Sequence, residues 1–201
     1  MIRTLIFDIG NVLAAFNWRR YLNSWQLSME ENAILERALF MSPMWKEVDR
    51  GCMSDEELLR IFCRDAPGYE ELVRRVFSEC FKTVEENSYA ADLLKSLKEQ
   101  GYRIYILSNY GKSVFENRTT PFRFLDYTDG QVISYREKCI KPEPEIYEIL
   151  LSRYGICPEE AVFFDDLPRN LEAAAAFGIH TVHVTGYESI IEGLRSFGIE
   201  L

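Results

Sequence analysis

Five short apolar segments constrain the fold of this chain more than any other feature of its sequence. They are TLIFD (4–8), RIYILSN (103–109), GQVISY (130–135), AVFFDD (161–166) and HTVHV (180–184). Within them apolar residues follow one another, with little alternation between apolar and polar positions. This pattern is typical of strands buried on both faces of a parallel sheet. Parallel neighbours must be joined by crossover segments, usually helices, so the stretches between these strands should supply helices.

Helical periodicity separates most of the predicted strands. It covers residues 88–100, 143–154 and 169–177, and a glycine follows each of these stretches. Glycine directly after a helix is a common signal of the helix C-terminus. Strands that alternate with helices in this way predict an α/β fold, a Rossmann-like parallel sheet flanked by helices.

The segment between the first two strands is nearly a hundred residues long, far more than one crossover helix needs. Helices are predicted within it at residues 19–27, 29–40, 54–62 and 69–81. The third of these begins with a capping box formed by Ser54 and Glu57. We therefore predict an α-helical cap domain at residues 16–85, inserted into a core domain made of residues 1–15 and 86–201.

The composition limits the partners that this chain can bind. It has 23 Lys and Arg against 32 Asp and Glu, a net charge of -9, which disfavours nonspecific binding to nucleic acid or to an anionic membrane. The sequence has no long apolar run, no signal-peptide pattern and no C-x-x-C pair among its cysteines. We expect a cytoplasmic protein that binds a small molecule. The oligomeric state stays open, and a monomer is compatible with the sequence.

Polar residues are found where the predicted strands end. Asp8, Ser108, Asn109, Asp165 and Asp166 end three strands, and Lys141 follows another. Ligands of open α/β sheets bind beyond the carboxyl ends of the strands, so these side chains should converge on one edge. Each residue alone has an ordinary alternative, such as a helix N-cap or a surface lysine. Adjacent carboxylates after an apolar strand, however, would repel each other without a compensating cation.

This set of residue types is suited to phosphoryl transfer. Two or three carboxylates with room for water suit a hard cation such as Mg²⁺. A metal beside a carboxylate, a lysine and a hydroxyl can neutralise charge and place a nucleophile in line with a phosphate. A carboxylate can itself be that nucleophile and form an aspartyl-phosphate.

Four segments resemble the motifs of the haloacid dehalogenase-like (HAD) hydrolase superfamily, in the same order over essentially the whole chain. They are FDIGNVL, ILSN, CIKPEPEIY and VFFDDLPRN. More narrowly, the DIGNV stretch and RGCMSDEELLRIF are similar to the bacterial α-D-glucose-1-phosphate phosphatase group, to which the N-terminal phosphatase domains of epoxide hydrolases are near relatives. The resemblance implies a HAD-like core with a helical cap, of the subfamily I type. It also implies Mg²⁺-dependent hydrolysis of a small phosphorylated metabolite, such as a hexose 1-phosphate.

The resemblance also implies which residues hold the metal. Asp8 is then the nucleophile and a Mg²⁺ ligand, and the carbonyl of Gly10 completes part of the metal shell. Asp165 and Asp166 bind Mg²⁺ directly or through water, and the sequence does not divide these tasks between them. Asn170 either supports this site or is an ordinary helix residue.

Three further residues are implied to bind phosphate. Ser108 and the backbone at Asn109 would hold phosphate oxygens. Lys141 would bridge the nucleophile and the phosphate and stabilise the charge that develops there.

Gly10 departs from the pattern of most phosphatases in this superfamily. They carry an Asp two residues after the nucleophile, which protonates the leaving group and later activates water. Gly10 can do neither, the motifs offer no replacement acid, and His180 and His183 are expected to be structural. We therefore expect leaving groups that need little protonation, such as the anomeric oxygen of a sugar 1-phosphate. Gly10→Asp should broaden the range if the pocket admits the side chain.

Two other functions stay open on the sequence alone. In a metal-independent haloacid dehalogenase the Asp attacks carbon, and the Asp165–Asp166 pair argues against that chemistry. The other alternative is a non-catalytic phosphate-binding protein that lost turnover together with the missing acid.

Overall fold

A computed structural model of the chain describes residues 1–117 and 121–201. The strands are β1 (Thr4–Phe7), β2 (Ala14–Phe16), β3 (Val84–Glu86), β4 (Arg103–Ser108), β5 (Gly130–Ile133), β6 (Ala161–Asp165) and β7 (His180–His183). The described residues form a five-stranded sheet with the strand order β5-β4-β1-β6-β7. Every neighbouring pair of strands in this sheet is parallel. The predicted strands and the parallel α/β sheet are therefore confirmed.

The helices flank this sheet and fill the long segment between β2 and β3. They are α1 (Trp18–Asn23), α2 (Met29–Leu35), α3 (Trp45–Arg50), α4 (Asp55–Arg64), α5 (Glu70–Ser78), α6 (Ala90–Glu99), α7 (Lys112–Glu116), α8 (Ser134–Glu137), α9 (Pro144–Tyr154), α10 (Pro168–Ala176) and α11 (Tyr187–Ser196). The capping box predicted for Ser54 and Glu57 is present at the start of α4. Helix α9 ends at Gly155, which adopts the left-handed conformation with φ 58°. Among the described residues, no helix has the length and apolar character needed to cross a bilayer.

The sheet is covered on both faces, as its apolar strands predict. Leu5 and Phe7 of β1 lie in one apolar cluster, which includes residues of α6 and α11. Ile6, between them, lies in a second cluster with residues of α9 and α10. All four residues of β1 are buried, and burying a Leu, Ile or Phe side chain contributes roughly 1.5–3 kcal/mol. The core therefore fixes β1 in the middle of the sheet and fixes the position of the residue that follows it, Asp8.

Helices α1–α5 share an apolar cluster of their own, which includes Leu39, Phe62 and Phe77. Strands β2 and β3 pair in antiparallel fashion at the two ends of this helical segment, a pair that the sequence did not predict. Both predicted boundaries of the cap, residues 16 and 85, fall in this pair. The division into a cap domain and a core domain stays a prediction.

Candidate active site

A cavity of about 300 Å³ opens at the carboxyl ends of the central strands. Its walls include the predicted site residues Asp8, Gly10, Asn109, Lys141, Asp166 and Asn170. Two further predicted residues, Ser108 and Asp165, are buried, and each contacts a residue of the cavity wall. The structure thus brings all the residues selected from the sequence to one edge of the sheet.

Asp8 follows β1 and is 7% exposed. Its Oδ1 atom accepts hydrogen bonds from the backbone N–H of Ile9 at 2.7 Å and from the Ser108 hydroxyl at 2.5 Å. The ammonium of Lys141 lies 3.0 Å from the same oxygen. Burial raises the pKa of Asp8 to about 7, against the opposing effect of Lys141. All three contacts are made by Oδ1. They orient the carboxylate and do not involve Oδ2.

Lys141 is the buried cation of the site, at 2% exposure. Besides Asp8, its Nζ atom contacts Asp165 Oδ2 at 2.6 Å and donates to the Leu107 carbonyl at 2.9 Å. Burial acts to lower the pKa of this ammonium. The charges of Asp165 and Asp8 raise the pKa by more than burial lowers it, so it lies above the ordinary value. All three donors of the ammonium therefore have an acceptor, and the side chain stays charged.

The side chain of Asn109 fixes the backbone of Lys141. Its Oδ1 atom accepts from the Lys141 N–H at 2.7 Å, and its Nδ2 atom donates to the Lys141 carbonyl at 3.0 Å. The sequence assigned Asn109 a backbone contact with phosphate and did not predict these two hydrogen bonds. They connect the end of β4 to the loop that carries the lysine.

Asp165 and Asp166 are adjacent in sequence but differ in their surroundings. Asp165 is fully buried, and its oxygens accept from Lys141 at 2.6 Å, from a backbone N–H at 2.8 Å and from Asn170 Nδ2 at 2.9 and 3.1 Å. Asp166 lines the cavity and accepts from Asn11 Nδ2 at 2.9 Å. Burial raises the pKa of Asp166 against the opposing effect of Asn11. Both oxygens of Asp165 therefore accept from protein donors, whereas Asp166 faces the cavity and is the more accessible of the two to a ligand.

Three carboxylates can meet at one cation. Asp8, Asp165 and Asp166 each offer an oxygen, and these atoms lie within 4.8 Å of one another. Such a set of hard oxygen donors, with room beside it for water, matches the requirements of Mg²⁺. Gly10 lines the same cavity, next to Asp8.

The absence of a side chain at position 10 is not imposed by crowding. A Cβ atom built on Gly10 has no heavy atom within 4 Å outside its chain neighbours. The structure therefore has space for the start of a longer side chain at this position, including that of aspartate.

Asp49 is a cavity residue that sequence reasoning missed. It belongs to α3, in the helical segment, and lines the cavity together with Phe16 and Trp45. Burial and the charge of Asp8 raise the pKa of Asp49 to about 7. Its sequence context, KEVDRG, directly overlaps the RGCMSDEELLRIF stretch that carries the resemblance. That overlap was the sequence signal that could have pointed to Asp49 as a site residue. Helical periodicity alone does not distinguish this carboxylate from a solvent-exposed one.

Fold and site together define an α/β protein whose parallel sheet brings a buried lysine and three carboxylates together at one edge. The sequence model of the haloacid dehalogenase-like hydrolase family matches residues 2–178. The chain belongs to this family, and its resemblance to the haloacid dehalogenase-like hydrolase superfamily is confirmed.

Several individual proteins are similar to the chain over most of its length. It is 26% identical to the sesquiterpene phosphatase AstK of Aspergillus oryzae, over 91% of this chain and 90% of that protein. It is 25% identical to a D-ribitol-5-phosphate phosphatase of Bacteroides thetaiotaomicron, over 90% of this chain and 91% of that protein. A HAD family enzyme from the same bacterium, solved with magnesium and inorganic phosphate, superimposes with a TM-score of 0.73 and 23% identity. That superposition covers 92% of this chain and 96% of the other, and it shows a common fold.

Proposed function

We propose that this chain is a Mg²⁺-dependent phosphomonoester hydrolase that acts through an aspartyl-phosphate at Asp8. The observation that carries the proposal is the orientation of Asp8 through Oδ1 by Ser108 at 2.5 Å and Lys141 at 3.0 Å. This arrangement keeps Oδ2 available as a nucleophile beside a fixed positive charge. Two relatives that match the chain over most of its length are phosphatases, which supports the same chemistry.

Mg²⁺ fits the donor set of the site. We propose that Asp8, Asp166 and the Gly10 carbonyl would hold the ion directly, and that Asp165 would act through water because its oxygens already accept four hydrogen bonds. When bound, the ion supplies positive charge that neutralises the phosphate group. The magnesium and phosphate in the similar enzyme from Bacteroides thetaiotaomicron support this assignment.

The residues of the chain would then have separate tasks. Ser108 and the backbone at Asn109 would hold phosphate oxygens, and Lys141 would stabilise charge between phosphate and nucleophile. Asp8 Oδ2 would form a bond to phosphorus while the ester P–O bond breaks. Water would then attack the phosphorus of the aspartyl-phosphate, releasing inorganic phosphate and restoring the carboxylate. Asn170, which donates to both oxygens of Asp165, would keep that carboxylate in position.

The substrate that we propose is a small phosphorylated metabolite, with a hexose 1-phosphate as the first candidate because position 10 carries no acid. We further propose a cytoplasmic location, in keeping with the free thiols of all five cysteines, and substrate selection by the cap at residues 16–85. Phe16 and Trp45 give the cavity an apolar wall. Since AstK is a sesquiterpene phosphatase, terpene monophosphates are the second class of substrate to examine.

A screen of sugar phosphates, nucleotides, terpene monophosphates and simple phosphoesters with Mg²⁺ tests the proposal. We expect turnover that EDTA abolishes and that Asp8→Asn reduces to background. Dehalogenation of a 2-haloacid that persists in EDTA would instead support the metal-independent alternative. Phosphate binding without turnover on any substrate class would support the non-catalytic alternative.

A second comparison addresses the leaving group. If no other residue replaces the acid missing at position 10, kcat/KM should be higher for hexose 1-phosphates than for hexose 6-phosphates. Equal values would show that the enzyme does not depend on a leaving group that needs little protonation.

A further inference from the structure

We propose that Asp49 is the general acid and base of this enzyme, taking the role that Gly10 cannot fill. The inference rests on the proposed phosphatase function and adds to it a residue from the helical segment rather than from the core motifs. It would also remove the restriction to reactive leaving groups that the sequence suggested.

Asp49 lies in the right place for this role. Its side chain lines the same cavity as Asp8, Lys141 and Asp166. The charge of Asp8 is near enough to raise the pKa of Asp49, and that of Lys141 near enough to lower it. Burial, with the charges of Asp55 and Asp49, raises the pKa of the Cys80 thiol to about 12 and keeps it neutral. A phosphate ester bound in this cavity would therefore have both the nucleophile and this carboxyl group in the cavity wall around it.

The surroundings of Asp49 also suit proton transfer in both directions. Burial, with the charge of Asp8, raises its pKa to about 7, whereas the N–H of Gly111 and the charge of Lys141 oppose the rise. A general acid or base works best when its pKa is near the working pH. Such a carboxyl group can give a proton to a leaving group and then accept one from water.

The backbone around Asp49 is tied to the core. The Ser134 hydroxyl donates to the carbonyl oxygen of Asp49 at 2.6 Å. The next residue, Arg50, donates to both carboxylate oxygens of Glu143 at 2.7 and 2.6 Å. Lys138 donates to the carbonyl of Gly51 at 2.5 Å. Three consecutive residues of the helical segment are thus held against α8, the residue that follows it, and Glu143 near Lys141.

Two glycines allow this close approach. A Cβ atom at Gly111 would lie 2.6 Å from Cγ1 of Val48, the residue before Asp49. A Cβ atom at Gly51 would lie 2.8 Å from Tyr135, and Gly51 also has a φ of +69°. Side chains at either position would displace α3 from the core. The contacts on both sides of Asp49 therefore set its position relative to the nucleophile.

The proposed steps balance in atoms and charge. As Asp8 forms its bond to phosphorus and the ester P–O bond breaks, the carboxylic acid of Asp49 gives its proton to the departing oxygen, which leaves as an alcohol. The Asp49 carboxylate then takes a proton from the water that attacks the aspartyl-phosphate. Inorganic phosphate leaves, and both carboxyl groups return to their starting states.

Asp49→Asn tests the proposal, because asparagine keeps the size of the side chain and an acceptor for Gly111. With a hexose 6-phosphate or another alkyl phosphate, we expect kcat/KM to fall by about 10²–10⁴-fold. With p-nitrophenyl phosphate, whose leaving group needs no proton, the first turnover should survive as a burst of about one p-nitrophenolate per enzyme, followed by slow steady-state release. The burst also shows that the variant is folded and binds phosphate.

Asp55→Asn is the matched control. Asp55 is another carboxylate of the helical segment and accepts from Ser113 at 2.6 Å, but it does not line the catalytic cavity. It should keep the activity of the unmodified protein on both substrates. Gly10→Asp combined with Asp49→Asn should restore alkyl phosphate turnover at least tenfold over Asp49→Asn alone, because position 10 has room for the new acid.

The outcomes separate the two levels of the argument. If the unmodified protein shows no Mg²⁺-dependent turnover, the proposed phosphatase function fails and the role of Asp49 fails with it. If the unmodified protein is active and Asp8→Asn is not, the phosphatase function stands. The role of Asp49 alone is then overturned by either of two results. In the first, Asp49→Asn lowers kcat/KM equally for alkyl and aryl phosphates and gives no burst; in the second, it lowers neither.

Discussion

Replacing Lys141 by methionine removes the positive charge from the centre of the site while keeping most of the side chain's volume. Its ammonium is 3.0 Å from Asp8 and 2.6 Å from Asp165, and both carboxylates are buried. Leaving buried charges without a partner costs roughly 3–5 kcal/mol, which for a chain of this size lowers Tm by roughly 6–20 °C. Lys141→Met should therefore destabilise the protein as well as abolish turnover.

The destabilisation by Lys141→Met should depend on pH. The pKa of Asp8 is raised to about 7 in the folded protein, and Lys141 acts to lower it, so without the lysine it rises further. A carboxyl group with a raised folded-state pKa contributes stability at low pH, and this contribution is lost as the pH rises through the folded-state pKa. The Tm difference between the two proteins should thus be larger well above pH 7 than well below it.

Thermal unfolding in EDTA, followed by circular dichroism at several pH values, measures this difference. Lys95→Met is the control, because Lys95 is exposed on α6 and its replacement should change stability by no more than about 0.5 kcal/mol. Equal Tm values for Lys141→Met and the unmodified protein, or a gap that narrows as the pH rises, would refute the assigned electrostatics.

Three further predictions concern the metal and the placement of α3. Asp166→Asn should raise the Mg²⁺ concentration needed for half-maximal activity about tenfold or more, measured by Mg²⁺ titration of turnover; an unchanged titration would exclude Asp166 as a ligand. Glu143→Gln should weaken the charged pair with Arg50 and lower kcat/KM about tenfold, with a smaller effect on Tm; full activity would contradict positioning through this pair. Gly111→Ala should lower kcat/KM by displacing α3 from Val48, and its crystal structure should show that displacement.

The core of this protein was predictable because its signals are local. Apolar runs of four to six residues define β1, β4 and β6, and the polar residue at the end of each strand follows from the chain itself. Parallel strands place such ends at one edge, so Asp8, Ser108 and Asp165 could be brought together without knowing any side-chain contact.

The missed features depend on contacts between distant parts of the chain. Asp49 is placed by Ser134 and by the Arg50–Glu143 pair. Ser134 is more than 80 residues from Asp49 in the sequence, and Glu143 is more than 80 residues from Arg50. A helical pattern shows which residues can share a face, but not which face meets the core. Strands β2 and β3 have only three residues each, too few for a recognisable alternation.

A covalent phosphate on Asp8 is the intermediate on which the mechanism depends, and it can be trapped. Cleavage after arginine gives a peptide of residues 4–19 in which Asp8 is the single carboxylate side chain. The enzyme would be mixed with Mg²⁺ and p-nitrophenyl phosphate, quenched during turnover and treated with borohydride, which reduces an acyl phosphate to an alcohol. We predict homoserine at position 8 by mass spectrometry in the unmodified protein, more of it in Asp49→Asn, and none in EDTA. Turnover that leaves residue 8 unmodified under the same quench would contradict the aspartyl-phosphate mechanism.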